Sequence, residues 1–195
     1  IKERLWQYAR GLIALTGQQV ANKPQIAFFM ENSLEMALLD LACLSSGLVN
    51  VMIPANSVAN QVAFILNQTG VKVLLVSGQK QLNIVNQVRR ELSQLEHIVM
   101  IKEQPGEEHV LSQDQLIQQG LRITDEQVIA RQESFTTSDL ATIMYTSGTT
   151  GEPKGIMFSH LNIVYKRFCR AMALPEIGGG DRFLSYLPLF HTFGR

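Results

Sequence analysis

Ile26-Ala27-Phe28-Phe29-Met30, followed by Glu31-Asn32-Ser33, the stretch Leu34 to Ser46, and then Gly47-Leu48-Val49-Asn50-Val51-Met52-Ile53-Pro54, decides the fold. Apolar residues in an unbroken row, without alternation, describe a strand covered on both faces. Ser33 is placed to cap a helix running to Ser46, and Gly47 to end it. A second apolar run then begins at Leu48 and is stopped by Pro54. Two strands that are apolar at every position but Asn50, joined by a helix, predict a parallel crossover, which is right-handed when it packs back on its own sheet.

The same alternation extends outward in both directions. Upstream, Leu5, Tyr8, Leu12 and Leu15 have the spacing of an amphipathic helix that ends before Lys23-Pro24. Downstream, Val58, Val62, Ile65 and Leu66 mark a helix closed near Gly70, and Val73-Leu74-Leu75-Val76 is a short buried strand. Leu82, Val85, Arg89 and Leu92 predict a further helix, followed by strand Ile98 to Ile101. The fold class expected is α/β, a doubly wound, largely parallel sheet with helices on both faces. Lys102 to Ser138 turns polar and glutamine-rich, and reads as a surface excursion with one helix around Gln113 to Gln119.

Composition narrows the function classes. Seventeen basic residues balance seventeen acidic ones among 195, so no overall field favours nucleic acid, and no local basic run tracks a phosphate backbone. A membrane-spanning helix needs ~20 mostly apolar residues, and no such run is present. Peripheral membrane association and the oligomeric state stay open. Cys43 and Cys169 lie far apart without metal-ligand spacing, both in apolar helical patterns. They read as small core residues of a protein in a reducing cytoplasm. Ile1 and Arg195 both read as cut ends.

The chemistry concentrates after Asp139 to Tyr145, an apolar strand that runs into Thr146-Ser147-Gly148-Thr149-Thr150-Gly151-Glu152-Pro153-Lys154-Gly155. Ile156-Met157-Phe158 is a strand again, and Ser159 caps a helix with Leu161, Val164, Phe168, Cys169 and Met172 on its apolar face. Glycines let backbone N–H groups approach an anion. The hydroxyls of Thr146, Ser147, Thr149 and Thr150 can donate to phosphate oxygens or reach a magnesium ion. Lys154 supplies a mobile charge suited to terminal phosphates, where it would stabilise departing pyrophosphate. Lys154 precedes Gly155 and Ile156 follows, so the loop is not a Walker loop, and no dinucleotide fingerprint occurs. With three glycines and no anion to organise it, the loop is expected to be mobile without nucleotide.

Tyr145-Thr-Ser-Gly-Thr-Thr-Gly-Glu-Pro-Lys-Gly155 resembles the phosphate-loop signature of the adenylate-forming (AMP-binding) superfamily. Phe64-Ile-Leu-Asn-Gln-Thr-Gly-Val-Lys-Val-Leu74 is similar to that family's helix-turn-strand segment. Asp181-Arg-Phe-Leu-Ser-Tyr-Leu-Pro-Leu-Phe-His-Thr-Phe-Gly194 is similar to a block of its fatty acid–CoA ligases. The resemblance implies that residues 1–195 are part of the large N-terminal domain, with the phosphate loop at 146–155. It implies an enzyme that joins a fatty acid to the α-phosphate of ATP with Mg2+ and passes the acyl group to coenzyme A. A fatty acyl–AMP ligase, an acyl-carrier-protein ligase and a non-catalytic nucleotide-binding module remain alternatives. The nucleotide-binding set implied is Thr146, Ser147, Gly148, Thr149, Thr150, Gly151 and Lys154, with Thr146 as the metal contact. Lys154 and His191 are the implied catalytic groups, His191 as a pocket wall or hydrogen-bond donor. The family's later blocks, a magnesium-binding glutamate, a ribose-binding aspartate and a C-terminal-domain lysine, do not occur in this chain. The chain alone is therefore expected not to complete the reaction.

Overall fold

A computed structural model describes residues 1–17, 23–146, 152–182, 184 and 186–191. The described elements run α1 (Lys2–Thr16), β1 (Gln25–Phe29), α2 (Leu34–Ser45), β2 (Val49–Met52), α3 (Ala59–Thr69), β3 (Val73–Val76), α4 (Gln79–Gln87) and β4 (His97–Met100). They continue with β5 (Val110–Ser112), α5 (Gln113–Gly120), α6 (Asp125–Glu133), β6 (Leu140–Thr146), β7 (Lys154–Ser159) and α7 (His160–Ala173). The strands form one sheet in the order β5-β4-β3-β1-β2-β6-β7. All neighbours are parallel except the β6–β7 pair.

The unalternating strands are covered on both faces, as their composition requires. Ile26, Phe28, Met52, Leu75 and Val99 join α1, α2, α5 and α6 in one core. Ala27, Phe29, Val51, Leu74 and Ile98 join α3 and α4 in the other. Local signals place the helix ends. The Ser33 hydroxyl accepts from Met36 N at 3.1 Å, and Gly47 and Gly70 leave α2 and α3 with φ of +63°. Among the described residues no helix is long and apolar enough to cross a membrane.

Three expectations need correction. The helix through Leu82 and Val85 stops at Gln87, and Arg89–Glu91 forms a separate 3-10 turn. The segment that follows it is held by the Arg89 guanidinium, which donates to Leu92 O and Leu95 O. The polar stretch 102–138 is more than a surface excursion with one helix. It adds strand β5 at the sheet edge and two helices, and it buries Leu116, Ile123, Val128 and Arg131. A three-residue strand shows no period, and short helices that bury only one or two side chains carry too little apolar signal to read. Ser112 and Thr124 nevertheless cap these helices, with Gln115 and Gln127 reaching back to the cap N–H groups. Lastly, Cys43 is buried but Cys169 is exposed, because the apolar face of α7 is turned away from the sheet.

Arg131 shows what the excursion does. It is only 2% exposed, and its Nε donates to the Ser46 carbonyl, which closes the end of α2. Nearby, Phe135 stacks on His160 at the start of α7, with ring centroids 4.5 Å apart. The crossover from β5 to β6 is thus fastened to the helices it passes.

Candidate active site

Strand β6 lies beside β2 and its polar loop emerges at the carboxyl end of the parallel sheet, the end where open α/β sheets hold ligands. Strand β7 brings the chain back antiparallel. Thr146 is the register partner of Lys154, and Tyr145 that of Gly155. The hairpin therefore sets the two ends of the phosphate-loop signature opposite each other. Ser147, Gly148, Thr149, Thr150 and Gly151 lie outside the described residues, and with them the expected mobility of the loop.

The base of the hairpin is firmly built. Tyr145 is 4% exposed, and its hydroxyl donates to Gln68 Oε1 at 2.5 Å, tying β6 to the end of α3. Burial pushes the Tyr145 phenol above its usual pKa. Gly155 lies against this ring: a Cβ there would come within 3.0 Å of Tyr145 Cζ and Ile143 Cγ2. A side chain at that point would push against the ring and the isoleucine, which would have to give by a few tenths of an ångström.

A cavity of about 420 Å³ opens beside the hairpin, with Asn56, Ser57 and Gln61 on one side and Tyr145, Thr146 and His191 on the other. Asn56 and Ser57 follow β2, and Gln61 lies in the first turn of α3. His191 reaches the cavity because its segment is clamped to the end of β1. The Asn32 side chain donates to Leu187 O and accepts from Leu189 N, both at 2.8 Å. Two sequence-predicted residues, Thr146 and His191, thus share one cavity although 45 positions separate them. Lys154 stands exposed at the foot of β7 and is not among the residues lining that cavity. Asn32, Asn56, Ser57 and Gln61 were not foreseen. Their one legible signal was position, since each follows the end of an apolar strand or opens the next helix. Among the described residues no group of three or more His, Cys, Asp or Glu is arranged to hold a metal.

The chain spans less than a third of the length of these curated relatives that it matches. It is 31% identical over 188 residues to a long-chain-fatty-acid–CoA ligase of Mycobacterium bovis, covering 96% of this chain and 30% of that protein. A fatty acyl-CoA synthetase of Dictyostelium discoideum is 32% identical, covering 88% and 26%. A long-chain-fatty-acid–[acyl-carrier-protein] ligase of Arabidopsis thaliana is 26% identical, covering 100% and 28%. Among solved structures, an anthranilate CoA ligase in complex with anthranoyl-AMP matches with a TM-score of 0.69 and 26% identity, over 84% of this chain and 30% of that one. A putative long-chain-fatty-acid CoA ligase from Rhodopseudomonas palustris shares the fold with a TM-score of 0.78 at 20% identity, over 98% and 44%. The family model for AMP-binding enzymes matches residues 1–195. With the strand–loop–strand hairpin at the carboxyl end of a doubly wound sheet, that match places this chain in the AMP-binding enzyme family.

Proposed function

We propose that residues 1–195 are the front of the large AMP-binding domain of an ATP-dependent fatty acid–CoA ligase, followed by the rest of that domain and a C-terminal domain. The observation that carries the reading is the hairpin that opposes Thr146 and Lys154 beside a cavity containing His191. A carboxylate oxygen of the fatty acid attacks the α-phosphorus of ATP, the bond to the β-phosphate oxygen breaks, and acyl-AMP and pyrophosphate form. The thiol of coenzyme A then attacks the acyl carbon, loses its proton, and AMP leaves.

In this reading Thr146 and the hydroxyl and N–H groups of Ser147, Gly148, Thr149, Thr150 and Gly151 cradle the phosphates. Lys154 opposes the charge that builds on departing pyrophosphate. His191 forms a wall of the acyl and α-phosphate region and donates a hydrogen bond there, without acting as a general base. Thr146 fits a magnesium contact, because a nucleotide-bound ion takes most of its oxygens from phosphates and water and asks few of the protein. The ion would neutralise phosphate charge.

Half-reactions measured on the full-length enzyme test this. Lys154→Ala slows acyl-AMP formation from ATP more than thioester formation from synthetic acyl-AMP, since pyrophosphate has left before the second step. Equal slowing of both would remove Lys154 from the proposed role. Absence of fatty-acid-dependent pyrophosphate release by the full-length protein would overturn the reading itself. Carrier-protein thiols are the rival acceptor, supported by the Arabidopsis relative, and parallel assays with both thiols decide between them. The 195-residue chain alone forms no acyl-adenylate in this scheme, and pyrophosphate release from it would contradict that.

A further inference from the structure

The middle strand of the sheet, β1, ends in a joint of three residues that ties it to three other parts of the chain. Glu31 N–H donates to Ser77 Oγ, just beyond β3, at 2.8 Å. The Glu31 carboxylate accepts from Lys80 Nζ at 2.8 Å and from Gln81 Nε2 at 3.3 Å, both in the first turn of α4. Ser33 caps α2. Asn32 is therefore held on both sides in the chain, and its own side chain reaches the segment that carries His191. Asn32 Nδ2 donates to Leu187 O and Asn32 Oδ1 accepts from Leu189 N–H, so one planar amide spans the two residues flanking Pro188. The Pro188 carbonyl in turn accepts from His191 N–H at 3.0 Å, which closes the turn that presents His191 to the cavity. Only an amide side chain offers a donor and an acceptor on neighbouring atoms in one plane; a carboxylate lacks the donor. Leu189 and Phe190 also pack against the core, but apolar packing is non-directional. The register of the segment along the end of β1 is thus left to the two bonds of Asn32.

We propose that Asn32 is a positioning residue for acyl-adenylate formation, acting through His191. It holds the imidazole where a hydrogen bond to the reacting carboxylate or α-phosphate forms. The inference rests on the ligase reading above. Asn32 is not among the residues lining the cavity, so its effect passes through the 187–191 turn and not by contact with substrate. A group that must meet its partner in the transition state tolerates little displacement, since a misplacement of about 1 Å can cost about 100-fold in rate.

A cycle with His191→Ala in the full-length protein tests this. In the parent, Asn32→Ala should lower kcat for acyl-AMP formation by about 10-fold or more while KM for ATP stays within about twofold. In the His191→Ala background the same substitution should change kcat by less than about twofold, because the group it positions is gone. Equal losses in the two backgrounds would overturn the proposal, as would a raised KM with kcat unchanged. Where Asn32→Ala fails to fold, Asn32→Asp takes its place: it keeps the acceptor for Leu189 N–H, loses the donor, and should show the same dependence on His191. A second readout needs no activity. In protein labelled with 13C and 15N at histidine, the ring signals absent from His191→Ala belong to His191. They should shift or broaden in the Asn32 variant while those of His97 and His109 do not move, and an unmoved His191 would overturn the proposal. Fatty-acid-dependent pyrophosphate release by the parent separates the two readings. An active parent with equal losses sinks the role of Asn32 alone. An inactive parent sinks the ligase reading, and the His191 signals then decide whether Asn32 positions that ring.

Discussion

Replacing Gly47 by alanine tests how the turn between α2 and β2 is built. Gly47 has φ +63°, and a Cβ placed on it would lie 2.6 Å from Phe135 Cδ1. The left-handed backbone costs about 1–2 kcal/mol once a Cβ is present. The contact, far inside van der Waals distance, adds about 1–3 kcal/mol of overpacking. Alanine returns about 0.4–1 kcal/mol by narrowing the unfolded ensemble. The net loss expected is about 1–4.5 kcal/mol, which lowers Tm by about 2–18 °C for a chain of this size. The two causes separate in a cycle with Phe135→Ala. Without the ring, Gly47→Ala retains only its backbone cost, so its penalty falls by about 1–3 kcal/mol. Urea unfolding of the four proteins, followed by far-UV circular dichroism, reads both terms. An equal penalty in both backgrounds would refute the steric account. A penalty below about 0.5 kcal/mol in the parent would refute the left-handed turn as a constraint at all. The turn matters for the site because it launches β2, whose carboxyl end supplies the Asn56–Ser57 wall of the cavity.

Other perturbations probe the site and its supports. Asn32→Ala removes both side-chain hydrogen bonds to Leu187 and Leu189; these are exposed, so stability drops by about 1 kcal/mol or less. Amide exchange at 187–191 should nonetheless quicken while α2 is unaffected, and unchanged exchange would mean the clamp is idle. The Tyr145 phenol is raised by burial, so its contribution is complete below the unfolded value near pH 10 and is lost as pH rises through the folded value. Tyr145→Phe should therefore flatten part of the alkaline fall in urea midpoint; parallel curves for the two proteins would contradict this. Glu31 is held below the usual carboxylate range, chiefly by the hydrogen bond from Lys80. That exposed pair contributes about 0.5 kcal/mol or less. The contribution is present above the unfolded pKa near 4.3 and is lost as pH falls through the depressed folded value. Lys80→Met should thus differ from the parent at pH 6 and converge with it at pH 3, and a pH-independent difference would point to packing instead.

Much of the fold was legible because burial on both faces leaves a strand no polar position to alternate with. Ile26–Met30, Val73–Val76 and, but for Asn50, Leu48–Ile53 read as buried strands alternating with helices, and Ser33, Gly47 and Gly70 announced their helix ends through short-range backbone needs. The polar loop and its lysine were equally local, since close approach to an anion demands glycine and hydroxyl at near neighbours in the chain. Long-range matters were hidden. Nothing in Asn32 declares that it holds Leu187 and Leu189, because a hydrogen bond to another segment's backbone leaves no trace in that segment's side chains. The buried Arg131 reads as a surface charge until Ser46 is found beside it. The period of α7 gave an apolar face at Leu161, Val164, Phe168, Cys169 and Met172, but a period is silent about direction. Only the tertiary structure, by filling both sides of the sheet with other helices and turning that stripe outward, decided that it does not belong to the core formed here.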